Sequence, residues 1–366
     1  MKKILGIFAA VFMSVSLFAV PKNEFTRDDD KKLLREAFIE FENKNFGESL
    51  SLAEKAKNKR ESKISWEVMT LENSFKPAEV KYAGNSIQES IPILKSRQDF
   101  EALEIIDWYT TKNVRLFESD SKKDLIEFIK KLHAYPEADF LIGRIYKLEG
   151  EYDISAKFFQ TALDNADNLD VPDEKYDILY ELAGLFLLKN EKEQYEKQLL
   201  LILAKDSVYQ DKVFIDSMLK SIASNGKNCL EKFFQLYRNE NANAIKAYFD
   251  LSDFYRSEGE SYKALETSSI GVVTAFTKIN SVMVSRNPEY AYRKFSDFFT
   301  ELQNYPDIIE WGIENEIWKG FYNLAFDAHS NKCIAFTLQL LNELKTYAPE
   351  EYWQEKSACY LDELLN

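Results

Sequence analysis

The sequence predicts an all-α protein built of antiparallel helix hairpins, and three observations carry that expectation. Glycine (11) and proline (8) are scarce in 366 residues, so the tight turns of a β-rich fold have few places to form. Leu, Glu, Lys, Ala and Phe are abundant, a composition that favours helix. Apolar residues recur at helical spacing in paired segments separated by short polar turns. With 45% hydrophobic residues there is ample material for a core, either of two or three domains or of one continuous stack of hairpins.

The chain opens on Lys2 and Lys3, followed by an uncharged, mostly apolar run from Ile4 to Ala19 with small residues near its end. This is the layout of a secretory signal peptide (1–19) cleaved after Ala19, and an uncleaved anchor is the alternative. The run holds 16 residues, short of the ~20 that a spanning helix needs. No cysteine precedes Cys229, so the cleavage point offers no acylation site. Residues 20–32, including Asp28, Asp29 and Asp30, read as an exposed charged linker. The expectation is an exported chain, periplasmic or secreted, with no transmembrane segment once mature. Cys229, Cys333 and Cys359 allow one disulfide at most, between the last two, and otherwise pack as small apolar residues.

Hairpins follow in order. Residues 33–60 form a first one, with Phe46 in its turn and Ser49, Ala53 and Ala56 after it. Residues 61–132 are helical in pattern but irregular, with segments Ile64–Leu71, Ile87–Leu94, Asp99–Thr110 and Lys122–Leu132 and N-caps at Asp99 and Ser121. They read as an insertion or as extra helices, since no Ser/Gly-rich linker marks a boundary.

Residues 133–349 carry the clearest unit, Asp139 to Leu163. Gly143 and Tyr146 lie in its first helix, Tyr152 at the turn, and Ser155, Phe159 and Ala162 in the second. Small residues at crossing points with large ones between them suit a close antiparallel pair. The pattern returns at Leu251, Ser252, Tyr255, Ala264, Ser268 and Gly271. Turns aligned on Tyr152 fall next at Lys192, Lys227 and Ser261, at intervals of 40, 35 and 34. From Phe46 to Phe100 to Tyr152 the intervals are 54 and 52. Further hairpins are expected from Tyr290–Leu302 with Asp307–Ile313, and from Trp318–Asp327 with Ala335–Lys345; residues 350–366 would be a capping helix.

These residues resemble the tetratricopeptide repeat family, whose signature of about 34 residues places small and aromatic residues in this order around a helix-turn-helix. The resemblance implies a right-handed superhelical solenoid, with the irregular extra helices in its N-terminal third. It also implies a scaffold or adaptor that binds a protein or peptide on a concave face lined by first helices. Carried onto this chain, Phe140, Arg144, Lys147, Tyr180, Leu187, Phe249, Asp253 and Arg256 would line that groove. The lysine–asparagine clamp with which some members hold a C-terminal carboxylate is not matched, because Asp250 and Asp253 occupy the later strong unit.

Other chemistries find little support. A net charge of −14 repels phosphate backbones and argues against nucleic acid. The two histidines, His133 and His329, stand far apart, and no HExxH, CxxC, GxSxG or phosphate loop occurs, so no metal, cofactor or enzymatic activity is expected. His133 reads as a helix C-terminal residue. Glu101, Glu104 and Asp107, beside Trp108 and Tyr109, could serve a glycan-acting enzyme, but an acidic helix face with its aromatics turned inward is the simpler reading. The remaining alternative is a solute-binding helper of a transporter.

Overall fold

Few breakers leave long stretches free to be helical. The computed structural model describes residues 28–236 and 241–365, and there the chain is all-helical. An isolated bridge between Ser86 and Ser121 is the extended pairing recorded among these residues. The signal segment and its cleavage point lie outside the described residues. The chain divides into two compact units between Ile145 and Tyr146.

In the first unit, α1 (Asp29–Glu42) and α2 (Phe46–Ser74) form a hairpin. Leu34, Ala37 and Phe41 are buried on α1, and Ser49, Ala53 and Ala56 on α2. The small residues let the backbones approach closely enough for the Ser49 hydroxyl to donate to the Ala37 carbonyl at 2.8 Å. Helix α2 continues unbroken past position 60, where the sequence reading ended the first hairpin. No Gly or Pro interrupts it there, and its second half finds apolar partners. These come from α3 (Ala78–Tyr82), α4 (Ile87–Ser96), α5 (Phe100–Asp107), a π-helical turn (Trp108–Lys112) and α6 (Lys122–Lys131). Together they bury Ile64, Leu71, Leu94, Ile105, Leu125 and Ile129 in a core of their own.

The exposed linker expected over residues 20–32 does not extend to its end. Asp29 begins α1, and Asp30 is buried against Arg60 Nε at 2.7 Å and Lys63 Nζ at 3.7 Å. A run of aspartates looks solvated in sequence, but two cations from α2 compensate the burial of one of them. Lys57 pairs with Asp139 on α7 (Pro136–Leu148), and the Arg60 guanidinium stacks 3.4 Å above the Tyr135 ring.

The second unit contains α8 (Tyr152–Asp164), α9 (Glu174–Leu188), α10 (Lys192–Leu203), α11 (Ser207–Gln210), α12 (Lys212–Ala223) and α13 (Cys229–Phe234). It continues with α14 (Ala242–Ser257), α15 (Ser261–Arg286), α16 (Phe295–Leu302) and α17 (Pro306–Glu314). It closes with α18 (Ile317–Ser330), α19 (Ile334–Tyr347) and α20 (Glu351–Leu365). Three hairpins, α9/α10, α14/α15 and α18/α19, pack in succession: α10 lies directly on α14, and α15 directly on α18. The intervening short helices pack elsewhere, α12 and α13 against α15 and α13 also against α19. Helix α15 is buried on nearly every side from Ala264 to Met283, as a helix surrounded by others must be.

One backbone device recurs at six hairpin turns. Lys44, Gln98, Gly150, Asn190, Gly259 and Lys332 all have positive φ, between 57° and 81°. At each, the residue itself donates to the carbonyl three back, and the next residue donates to the carbonyl five back. This is the Schellman closure, which satisfies the last carbonyls of one helix. The next residue then starts the following helix in nearly the same conformation every time, from Asn45 (φ −87°, ψ 62°) to Cys333 (φ −86°, ψ 57°). Helices after these turns begin at Phe46, Phe100, Tyr152, Lys192, Ser261 and Ile334.

The turn expected at Lys227 is not one of them: that segment leads into the six-residue α13 and inserts no hairpin between α10 and α14. The step from Lys192 to Ser261 is 69 residues, close to two repeats of about 34; the pair of helices expected between them is present as α12 and α13, which pack on each other but not between α10 and α14. The helix expected from Tyr290 starts at Phe295. The three cysteines are unbridged, Cys229 buried and Cys359 exposed.

Candidate functional site

The first helices of the successive hairpins in the second unit, α9, α14 and α18, are joined by side chains rather than by apolar packing alone. The Tyr180 hydroxyl, from α9, donates to the Asn243 carbonyl at 2.6 Å and accepts from the Ala247 amide at 2.9 Å. Those two groups are partners in a helical i to i−4 bond, so Tyr180 bridges one rung in the first turns of α14. Burial pushes the phenol's pKa up, and the nearby Asp250 and Asp177 add to that rise. Lys147 pairs with Glu181 on α9 at 2.7 Å.

Between α14 and α18 lies a denser network. The Arg256 guanidinium grips Asp327 with two bonds of 2.8 and 2.9 Å and donates to Ser252 at 2.8 Å and Asp253 at 2.7 Å. Asp327 is only 1% exposed, so this is a buried bidentate pair. Asp253 also accepts from Asn323 at 3.0 Å and faces Lys319 at 3.4 Å. Lys319 reaches Glu316 at 2.8 Å, and Lys246 reaches Asp250 at 2.9 Å while lying 5.5 Å from the Tyr180 ring centre. Burial raises the Asp250 carboxyl above its ordinary range; Lys246 opposes that rise, and the like charges of Asp253 and Glu316 reinforce it.

Beyond α18, the aromatic side continues onto α20. Tyr322 packs on Trp353 and Tyr360 with ring centres 5.3 and 6.2 Å apart, and Phe326 lies 6.0 Å from Tyr360. Tyr360 and the His329 ring nitrogen share a 2.7 Å hydrogen bond.

The residues singled out in the sequence fall into distinct settings. Arg144 lies over Phe41 (4.4 Å) and within 5.9 Å of Phe140, all in the first unit. Lys147, Tyr180, Asp253 and Arg256 fall in the second unit, with Lys147 and Arg256 held in the ion pairs above. Leu187, at the end of α9, is exposed. Phe249 serves as packing: its ring lies against Gly271 of α15 and Gly320 of α18, where a Cβ would come within 2.9 and 2.4 Å of it. The surface pattern of α14 could not reveal this, because the two glycines that admit the ring lie on other helices.

Residues the sequence reading missed are Lys246, Lys319, Tyr322, Asn323 and Glu316. Lys246, Asp250 and Asp253 stand at i, i+4 and i+7, so their common helix face was legible. Asp327 gave no such signal, being 71 residues from its arginine.

In the first unit, Glu101 is half-buried while Glu104 and Asp107 are exposed, and Asp107 pairs with Lys112 at 3.5 Å. Tyr109 turns inward and donates to the buried Glu67 carboxylate at 2.6 Å. His133 hydrogen-bonds the Lys130 carbonyl at 2.6 Å, at the end of α6. Among the described residues no group of three or more His, Cys, Asp or Glu could hold a metal ion, and no helix is long and apolar enough to cross a membrane.

No family model matches the chain. It is 29% identical over 354 residues to an uncharacterized protein of Treponema pallidum (strain Nichols), an alignment covering 90% of this chain and 94% of that one. The similarity therefore runs through both units.

Proposed function

We propose that this chain is an exported adaptor of tetratricopeptide-like hairpins, wound as a right-handed solenoid, which holds a protein or peptide partner on the face formed by α9, α14 and α18. The observation that carries the reading is the succession of hairpins, each packed through its second helix on the next, whose first helices are linked by the Tyr180 and Arg256 side chains. Helices so arranged leave a strip of polar and aromatic side chains, here the exposed Lys246 and the half-exposed Asp250, Asp253, Lys319, Tyr322 and Asn323. Side chains already braced by their neighbours lose little conformational freedom on binding, which favours recognition. Export is supported by the sequence pattern of residues 1–19.

The test is site-specific photocrosslinking in intact cells. A photoreactive residue at Lys246 or Lys319 gives a discrete adduct with one partner; the same residue at Tyr262, exposed on the second helix α15, does not. Equal labelling from all three positions, or none from the first two, refutes the reading.

A further inference from the structure

Helices α13, α16 and α19 pack on one another, and each brings one carboxylate to the junction: Glu231 from α13, Asp297 from α16 and Glu343 from α19. All three are half-buried. Glu231 Oε2 and Glu343 Oε2 are shielded from solvent and accept no hydrogen bond. Asp30, Asp139 and Asp327 show the usual answer to such burial, a cation from a neighbouring helix. Here the charges that act on Glu343 are Glu231 and Asp297, both negative. Helices α18 and α20, also packed on α19, and α12 and α15, packed on α13, add none; Lys232 on α13 and Lys294 at the head of α16 are exposed. Burial first, and the two like charges after it, hold the Glu343 carboxyl above its ordinary 4.5.

The element at stake is α13. Its six residues are too few for a helix that stands alone, so its order depends on docking. Phe234 stacks on Phe295 of α16 with ring centres 4.0 Å apart, and Phe233 meets Phe336 of α19 at 5.3 Å. The Gln339 side chain of α19 accepts from the Leu230 amide at 3.4 Å and donates to the Gly226 carbonyl at 3.2 Å. Glu343 lies one turn beyond Gln339 on the same face of α19. The helix that grips the start of α13 therefore also carries the group that repels it.

We propose that Glu343 is a proton-operated latch for α13: protonated, it brings a hydrogen-bond donor to a junction of acceptors and α13 closes; ionised, it adds a third like charge and α13 opens more often. The inference goes beyond the adaptor reading and does not depend on it. Its sign follows from linkage. The closed form holds the proton more tightly than the open form, so closure is favoured at low pH and weakens as pH rises from 4.5 through the raised value. Each unit of that rise corresponds to an about tenfold change in the opening equilibrium.

The experiment is hydrogen exchange of the purified chain, read on peptides covering residues 229–236 from pH 4.5 to 7.5 and corrected for the intrinsic rate at each pH. Opening of α13 rises at least threefold over that range in the parent. Glu343→Gln keeps the side-chain shape, removes the charge and flattens the profile at the protected level. Glu355→Gln, the same change at an exposed position of α20, leaves the parent profile as it was. Carbon-13 NMR of the glutamate carboxyls follows Glu343 directly, titrating above 4.5 in the parent and lower in Glu231→Gln. A Glu343 carboxyl that titrates at or below 4.5, a flat parent profile, or a slope that Glu343→Gln leaves in place would overturn the proposal.

Discussion

Replacing Arg256 with methionine removes a guanidinium that makes four hydrogen bonds to Ser252, Asp253 and Asp327, all between 2.7 and 2.9 Å. Asp253 keeps Asn323 and Lys319 as partners, so its loss is small. Asp327 is different: it is 1% exposed, and its remaining side-chain donor is the Ser252 hydroxyl at 3.2 Å. A buried carboxylate deprived of its cation costs about 3–5 kcal/mol. That is a large part of the ~5–15 kcal/mol that stabilises a typical domain. With a urea slope of about 2 kcal/mol per M, the midpoint of the second unit falls by about 1.5–2.5 M. Circular dichroism follows the transition, and hydrogen exchange resolved by peptide assigns it to α14 and α18. The double change Arg256→Met with Asp327→Leu recovers at least half the loss, because no unpaired charge is then buried. A single variant that loses less than about 1 kcal/mol, or a double variant no better than the single, refutes the claim that the pair is desolvated.

The other predictions concern packing, turns and pH. Gly320→Ala puts a methyl carbon 2.4 Å from Phe249 Cζ and costs about 1–3 kcal/mol in urea unfolding, a penalty that Phe249→Leu partly relieves in the double variant. Lys332→Gly removes a non-glycine residue from the left-handed region (φ 65°) and raises stability by about 0.5–1 kcal/mol, while Gly150→Ala (φ 81°) lowers it by about 1 kcal/mol. Opposite signs are the check; equal signs would show that these turns do not share one conformation. Asp30 and Asp139 report opposite pH slopes in the first unit. Burial raises the Asp30 carboxyl, but Lys63 and Arg60 outweigh it and hold the group below its ordinary 3.8, so its contribution is full above that value and fades as pH falls further. Burial dominates at Asp139 and lifts it above 3.8 despite Lys57, so its ionisation costs stability as pH rises through that window. Urea titrations from pH 2.5 to 7 then show Asp30→Asn losing ground to the parent with rising pH and Asp139→Asn gaining it; parallel profiles would refute both assignments.

Much of the helical content was legible because it depends on local chemistry. Apolar periodicity located α8, α9, α10 and α19 to within a few residues, and Ser121 and Asp99 accept from Asp124 and Ala102 amides as their N-cap positions required. The hairpin turns were only half legible. Glycine marks two of the six left-handed positions; Lys44, Gln98, Asn190 and Lys332 hold the others, where the cost of a side chain is met by the helices on either side. A turn of that kind leaves no glycine to read.

Sequence by itself determined that this chain is helical, where most helices begin and end, and which faces of them are apolar. The tertiary structure decided which hairpins meet: α10 skips α11 to α13 to pack on α14, and α15 packs mainly on α18 rather than on the α16 and α17 that follow it. It also decided which charged residues stay on the surface. Arg256 looked available on its helix face and is bound to Asp327; Asp30 looked solvated and is buried against Arg60 and Lys63. The physical reason is the same in both cases. Periodicity is a property of one helix, whereas desolvation depends on charges and small side chains supplied by helices remote in the chain.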